Sequence, residues 1–94
     1  MEFRDDYGQS YEVPRKSVVA IGRDPARCDL VVPPQDSLYG HYRDSKYNGV
    51  MPRHATFWPA TKHIMVEEKN RKIDTLKSGD IVTLGKLNLT FIGD

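Results

Sequence analysis

The sequence has little cysteine and no long apolar run. Cys28 is the one cysteine, so no internal disulfide can form, which suits a reducing compartment. No apolar stretch approaches the roughly 20 residues of a membrane-spanning helix. Residues 1–6 lack the apolar core of a secretory signal. These absences predict a protein without a membrane segment, in the cytoplasm or another reducing intracellular compartment.

The chain also lacks a charge excess. Lys and Arg number 14 against 13 Asp and Glu, a net charge of +1. Such a balance provides no global attraction toward nucleic acid or an anionic membrane.

The residue patterns of common catalytic and metal sites are missing as well. His41, His54, His63 and Cys28 share no ligand spacing, and no Gly-x-Ser-x-Gly elbow or Gly-rich phosphate loop is present. We therefore expect a protein that is not an enzyme and that holds no metal or cofactor.

Helical periodicity is absent, and short strand-like runs take its place. With 94 residues, the chain predicts one domain over residues 1–94. Turn signals recur every few residues, including one at Asn70-Arg71-Lys72 and one at Gly79-Asp80. This pattern indicates an all-β sandwich or barrel. The predicted strands cover residues 3–5, 10–13, 17–21, 30–32, 54–58, 63–68, 81–84 and 87–92.

A long loop, about residues 35–53, interrupts the strand pattern. A loop of this length in a small domain is functional or mobile. It interleaves aromatic and basic side chains, which suits three readings: a solvated insertion whose tyrosines fold back on the sandwich, a protein interface, or a nucleic-acid surface. The residues in question are Tyr39, His41, Tyr42, Arg43, Lys46, Tyr47 and Arg53.

Three stretches occur in a suggestive order: "IGRDPARCDLVVP" from Ile21, "RHATF" from Arg53 and "LKSGDIVTLGKLNLTF" from Leu76. Together they resemble the forkhead-associated domain, which has Gly-Arg at a strand end, a Ser-Arg-x-His stretch, and a closing Gly-Asp segment. The resemblance spans about residues 11–91. It implies a two-sheet β-sandwich, into which this chain inserts a long loop before His54. The residues that it assigns to structural roles are Gly22, Asp29, His54, Gly79 and Asp80.

Forkhead-associated domains bind phosphothreonine peptides through loops at one end, and the resemblance carries roles to individual residues. It implies that Arg23 contacts the peptide, that His54 supports a loop, and that Asn70 holds the peptide backbone. The family's serine and arginine positions before the histidine hold Met51 and Pro52 here, and neither side chain grips phosphate.

Other residues are candidates from their chemistry alone. Ser45, Lys46 and Asn48 are predicted to supply the phosphate ligands that Met51 and Pro52 lack. The full set of predicted ligand-binding residues is Arg23, Ser45, Lys46, Asn48, Arg53, Asn70 and Arg71. A purely structural reading of the first motif stays open. In it, Gly22 lets the strand turn, Arg23 packs its stem on the sheet end, and Asp29 caps a loop through nearby N–H groups.

The predicted function is a non-enzymatic protein-interaction module, for signalling or scaffolding, that binds a partner protein or phosphothreonine peptide through its end loops. One alternative is a phosphate-independent scaffold module in a multi-protein assembly. A second is a small β domain that binds nucleic acid through the Tyr/Arg/Lys-rich loop, which the near-neutral charge disfavours. The oligomeric state is left open.

Overall fold

The computed structural model describes residues 1–32, 46–68 and 70–93. The predictions for Tyr39, His41, Tyr42, Arg43 and Ser45 lie outside the described residues, as does most of the predicted loop. In the described part of the chain, no helix has the length and apolarity needed to cross a membrane.

The strands form two sheets. The first contains β1 (Glu2–Asp5), β2 (Ser10–Glu12), β8 (Ile81–Leu84) and β9 (Leu87–Ile92), in the order β2-β1-β9-β8. The second contains β3 (Val19–Gly22), β4 (Leu30–Val31), β5 (Ala55–Trp58), β6 (His63–Val66) and β7 (Arg71–Ile73), in the order β4-β3-β5-β6-β7. Only β3 and β4 pair in parallel among these neighbours.

Alternating side chains build the core between the sheets. Leu87, Leu89 and Phe91 on β9 are fully buried, while the residues between them face outward. The rings of Phe3, Phe57 and Phe91 lie 5.3–5.8 Å apart and join the two sheets. The predicted all-β sandwich is confirmed.

One predicted turn is placed differently in the structure. Arg71 and Lys72 are not turn residues: they begin β7 and pair with Val66 and Met65 of β6. The turn lies just before them, where Asn70 adopts a positive φ of 49° and donates its N–H to the Glu67 carbonyl. Two charged residues suit a short edge strand, because one side of that strand faces solvent.

A 3₁₀ helix, Lys46–Gly49, lies inside the region predicted to be an irregular loop. Its Tyr47 is buried and donates its hydroxyl to Asp5 Oδ2 at 2.6 Å. A tertiary contact orders this turn, and no local sequence pattern announces such a contact. For Tyr47, the structure matches the reading in which the tyrosines fold back on the sandwich.

Candidate functional site

Three segments of distant sequence meet at the Gly22 end of β3. They are the β3–β4 connection (residues 23–29), the segment before β5 (residues 50–54) and residues 67, 68 and 70 of the β6–β7 turn; we call this the three-segment end. Arg23 N–H donates to the Met51 carbonyl at 3.0 Å, and Asp24 N–H donates to the Pro52 carbonyl at 3.1 Å. Glu67 N–H donates to the His54 carbonyl at 2.9 Å. Backbone hydrogen bonds therefore connect the first segment to the second and the second to the third.

Gly22 is needed because the segments approach it closely, and not because the strand turns there. It lies within β3, and its φ is not among the positive values. A Cβ on Gly22 would lie 2.4 Å from the Pro52 carbonyl oxygen and 2.9 Å from Arg53 Cα and Cys28 Sγ. The expectation that Gly22 lets the strand turn is therefore wrong.

The Cys28 side chain helps to hold the same crossing. Its thiol donates to the Pro52 carbonyl oxygen at 2.9 Å. Burial raises the pKa of the Cys28 thiol above its usual range, which keeps the sulfur protonated and able to donate. This thiol thus adds a side-chain contact to the two backbone bonds between the first and second segments.

His54 is a fully buried polar side chain at the centre of the three-segment end. Its Nδ1 accepts the Met51 N–H at 3.0 Å, and its Nε2 lies 3.4 Å from Glu68 Oε2. The backbone N–H of His54 donates to the Ile21 carbonyl at 2.8 Å. His54 thus joins the second segment to β3 and to the β6–β7 turn, which is the kind of support that the resemblance implies for it.

Four predicted ligand residues lie on these segments or directly beside them. Arg23 is exposed instead of packing on the sheet end, and its guanidinium makes no hydrogen bond or ion pair with any described residue. Arg53 is exposed, with Nε 3.9 Å from Glu67 Oε1. Asn70 and Arg71 are exposed at the turn and at the start of β7. The structure therefore brings Arg23, Arg53, Asn70 and Arg71 onto connected segments.

Lys46 and Asn48 belong to a different set of contacts. The 3₁₀ helix leans on the β1–β2 turn, where Lys46 N–H donates to the Tyr7 hydroxyl at 2.8 Å and Lys46 Nζ lies 3.2 Å from Asp6 Oδ2. Asn48 is exposed on this helix. Lys46 would have to leave Asp6 before it could hold a phosphate, and Ser45 lies outside the described residues.

Asp29 ties two strands together and does not cap its own loop. Its Oδ2 accepts the Ala20 N–H at 3.0 Å, and its Oδ1 lies 2.5 Å from Lys16 Nζ. The hydrogen bond from Lys16 and the one from Ala20 lower the pKa of Asp29. Asp24 caps the loop instead, by accepting the Ala26 N–H at 3.0 Å.

The predicted Gly79-Asp80 turn is present before β8. Gly79 has a positive φ of 99°, which glycine adopts without strain. Asp80 Oδ2 accepts the Lys77 N–H at 2.8 Å. This turn positions the β8–β9 hairpin and lies apart from the contacts of the three-segment end.

Sequence reasoning missed two contributors to the three-segment end. Asp24 is the loop cap, and its Asp-Pro pair is a turn signal that could have marked it. Glu68 lies against a buried imidazole in a stretch predicted as strand, and no local signal marks that contact.

Comparison of the chain with protein-family models, curated proteins and solved structures gives no match. Within the described ranges, no three His, Cys, Asp or Glu side chains are grouped as a metal ion would require. The fold and the site define a two-sheet β-sandwich whose end segments carry exposed cations at Arg23 and Arg53, with Arg71 exposed at the start of β7. The forkhead-associated resemblance stays a prediction carried by its residues.

Proposed function

We propose that this chain is a non-enzymatic protein-interaction module of the forkhead-associated type, which binds a phosphothreonine-bearing peptide at the three-segment end. One observation carries the proposal. Arg23 is exposed and has no partner for its guanidinium among the described residues, yet its backbone is fixed to Met51. A guanidinium that is exposed to solvent, on a residue whose backbone is fixed by a hydrogen bond, suits an anionic ligand.

The chemistry of a phosphate fits the cations of this end. A phosphothreonine carries nearly two negative charges and three acceptor oxygens, which guanidinium groups satisfy with paired N–H donors. Arg53 is held only loosely, since its Nε lies 3.9 Å from Glu67 and both side chains are about half exposed. Such a surface ion pair contributes about 0–1 kcal/mol. A phosphate can therefore recruit Arg53 beside Arg23 at little cost.

A phosphate-independent scaffold is the second candidate, and a specific observation favours it. Met51 is 41% exposed at the position where the family has serine, and it adjoins Pro52, which has no N–H to donate. An exposed thioether side chain provides apolar, adaptable contact area for a protein partner. In this form the end loops bind an unmodified segment, and Arg23 supports it without a phosphate.

Fluorescence polarisation with matched peptide libraries, phosphorylated and unphosphorylated on threonine, tests the proposal. The wild-type chain is compared with Arg23→Ala and with Arg15→Ala, an exposed arginine in the β2–β3 connection. We expect phosphate-dependent binding that Arg23→Ala weakens about tenfold or more and that Arg15→Ala leaves unchanged, since one charge-assisted hydrogen bond contributes about 1.5–3 kcal/mol.

Other outcomes of this experiment have definite meanings. Equal binding of both libraries, with sensitivity to Met51→Ser, would establish the phosphate-independent scaffold. Equal losses in Arg23→Ala and Arg15→Ala would reduce the result to non-specific electrostatics. Binding to single-stranded nucleic acid that falls steeply with salt would favour the nucleic-acid alternative. The proposal places the chain in the cytoplasm or another reducing compartment, where Cys28 stays a thiol.

A further inference from the structure

We infer that the three-segment end is controlled by pH through His54: protonation of the imidazole releases Met51 from the His54 ring and loosens residues 51–53 on the β3–β4 connection, and peptide binding weakens as a result. The release depends only on the contacts of the described chain. The loss of peptide binding rests on the proposed function, so the two parts are tested separately.

The hydrogen bond between Met51 and His54 requires a neutral imidazole. Nδ1 accepts the Met51 N–H at 3.0 Å, so the single proton of the neutral ring lies on Nε2, which faces Glu68 Oε2 at 3.4 Å. In the imidazolium form both ring nitrogens carry protons, and Nδ1–H would point at Met51 N–H. Two donors cannot remain in hydrogen-bonding contact, so the bond must break.

The charged groups of the neighbouring elements act in opposite directions. The Glu68 carboxylate, from the β6–β7 turn, favours the imidazolium, while the Glu67 carboxylate of the same turn lies near Arg53. Arg53, the residue before His54, opposes protonation. On the β3–β4 connection, Asp24 pairs with Arg27, and Asp29 pairs with Lys16. The protonated Cys28 thiol of the same connection donates to the Pro52 carbonyl. The carboxylate beside Nε2 makes protonation accessible, and full burial of the ring makes the protonated form unstable unless the structure opens.

The segment before β5 is the part that yields. The backbone of His54 is held on both sides, by its bond to the Ile21 carbonyl and by Glu67 N–H. Residues 51–53 are exposed and belong to no strand. Breaking the Met51 bond therefore moves this segment more easily than it moves β5.

Movement of residues 51–53 alters the arrangement of the proposed ligand residues. The carbonyl of Met51 accepts from Arg23, and the carbonyl of Pro52 accepts from Asp24 and from the Cys28 thiol. These three bonds set Arg23 relative to Arg53. A shift of residues 51–53 strains these bonds, so the two cations that the proposed function uses change their relative position.

Nuclear magnetic resonance of the ¹⁵N-labelled wild-type chain between pH 8 and pH 5 tests the release without any ligand. At pH 8 we expect His54 ring shifts with an unprotonated Nδ1 and a protected Met51 amide. Toward pH 5 we expect the imidazolium pattern, with Met51 protection lowered about tenfold or more, while Ile64 and Val66 amides in β6 keep theirs. Three results would overturn the inference: a His54 ring that stays neutral to pH 5, a ring that protonates with Met51 protection unchanged, or parallel loss at Met51 and β6.

Two histidine variants provide matched controls. His54→Asn keeps an acceptor near the Nδ1 position and removes the titration, so its Met51 protection is expected to be independent of pH. His63→Asn changes a half-buried histidine that packs against Trp58. The Met51 protection of this variant is expected to depend on pH as it does in the wild-type chain. If His54→Asn does not fold, the wild-type titration still decides the inference.

Peptide binding at pH 7.5 and pH 5.5 tests the consequence. Phosphate itself gains a proton near pH 6, so the wild-type chain is compared with His54→Asn at each pH. We expect the wild-type affinity to fall about threefold or more beyond the fall in the variant. Equal falls would overturn the control of binding. If no peptide binds at pH 7.5, the proposed function fails, while the magnetic resonance result still decides the release.

Discussion

At the scale of single residues, the Asp5 side chain accepts four hydrogen bonds from described residues. Its Oδ2 accepts the hydroxyls of Tyr11 and Tyr47, both at 2.6 Å, and its Oδ1 accepts the backbone N–H groups of Tyr7 and Gln9 at 2.8 and 3.0 Å. The pKa of Tyr11 lies far above its ordinary range, chiefly because the hydroxyl is buried and secondly because it bonds to the Asp5 carboxylate. This hydroxyl therefore stays a donor. One carboxylate thus joins β1, β2, their turn and the 3₁₀ helix.

We predict that Asp5→Asn lowers the free energy of unfolding by about 2–4 kcal/mol, because hydrogen bonds to a charged group contribute about 1.5–3 kcal/mol each and are not additive. An amide has one acceptor oxygen, so its NH₂ group must face either two hydroxyls or two backbone N–H groups. Urea denaturation of both chains measures the change.

Asp74→Asn is the control for Asp5→Asn. The Asp74 side chain is 91% exposed, so its substitution is expected to change stability by less than about 0.5 kcal/mol. Similar values for the two variants would show that the Asp5 junction adds nothing beyond a surface charge.

At the scale of elements, the 3₁₀ helix is held by side chains and not by a strand ladder. Asp6 Oδ2 accepts the Asn88 N–H at 2.9 Å and lies 3.2 Å from Lys46 Nζ. Partial burial acts to raise the pKa of Asp6, but the bond from Asn88 and the Lys46 ammonium outweigh it and leave the pKa below its ordinary value. The carboxylate form of Asp6 therefore connects this helix to the start of β9.

The Asp6 contact is expected to show a definite pH dependence. A group whose folded pKa lies below its unfolded value of 3.8 stabilises the fold above that value and ceases to do so as the pH falls through the folded pKa. We predict that Asp6→Asn costs about 0.5 kcal/mol at pH 7, a small value because the pair is largely solvated. The cost should decrease as the pH falls below 3.8 toward the lower folded pKa. Urea denaturation at pH values from 7 down to 2 measures it, and a cost that does not change with pH would contradict the ionic origin.

At the scale of the whole molecule, the sandwich is one core shared by two sheets. Phe3 and Phe91 come from the first sheet and Phe57 from the second, and all three rings are fully buried. Aromatic burial of this kind supplies much of the stabilisation of a small domain. The two sheets should therefore unfold together.

We predict that Phe57→Leu lowers the free energy of unfolding by about 1–2 kcal/mol, since it leaves a small cavity among the rings. Fluorescence of Trp58, the one tryptophan, and far-ultraviolet circular dichroism should give coincident urea curves. Ile81→Ala, at a side chain 56% exposed on β8, is the control and should cost less than about 0.5 kcal/mol. Separate transitions for the two signals would refute a single shared core.

Most strands could be predicted from the sequence, because alternation and turn residues are local signals. The run from Leu87 to Ile92 alternates buried and outward-facing residues, and β9 covers that range. Predictions failed where local signals ended, and two cases illustrate this. Arg71 and Lys72 look like turn residues until β6 provides a partner, and Gly22 looks like a turn glycine until the segment at Pro52 crosses it.

The sequence by itself determined the all-β class, most strand positions and the chemistry available at the end loops. Tertiary structure decided what those residues do together. Arg23 meets Met51 and His54 meets Glu68 because β3, β5 and β6 pair side by side in one sheet. Asp5 meets Tyr47 because the 3₁₀ helix packs against β1. The physical reason is that such bonds join groups far apart along the chain, whose pairing depends on sheet order and packing and leaves no periodic signal in the sequence.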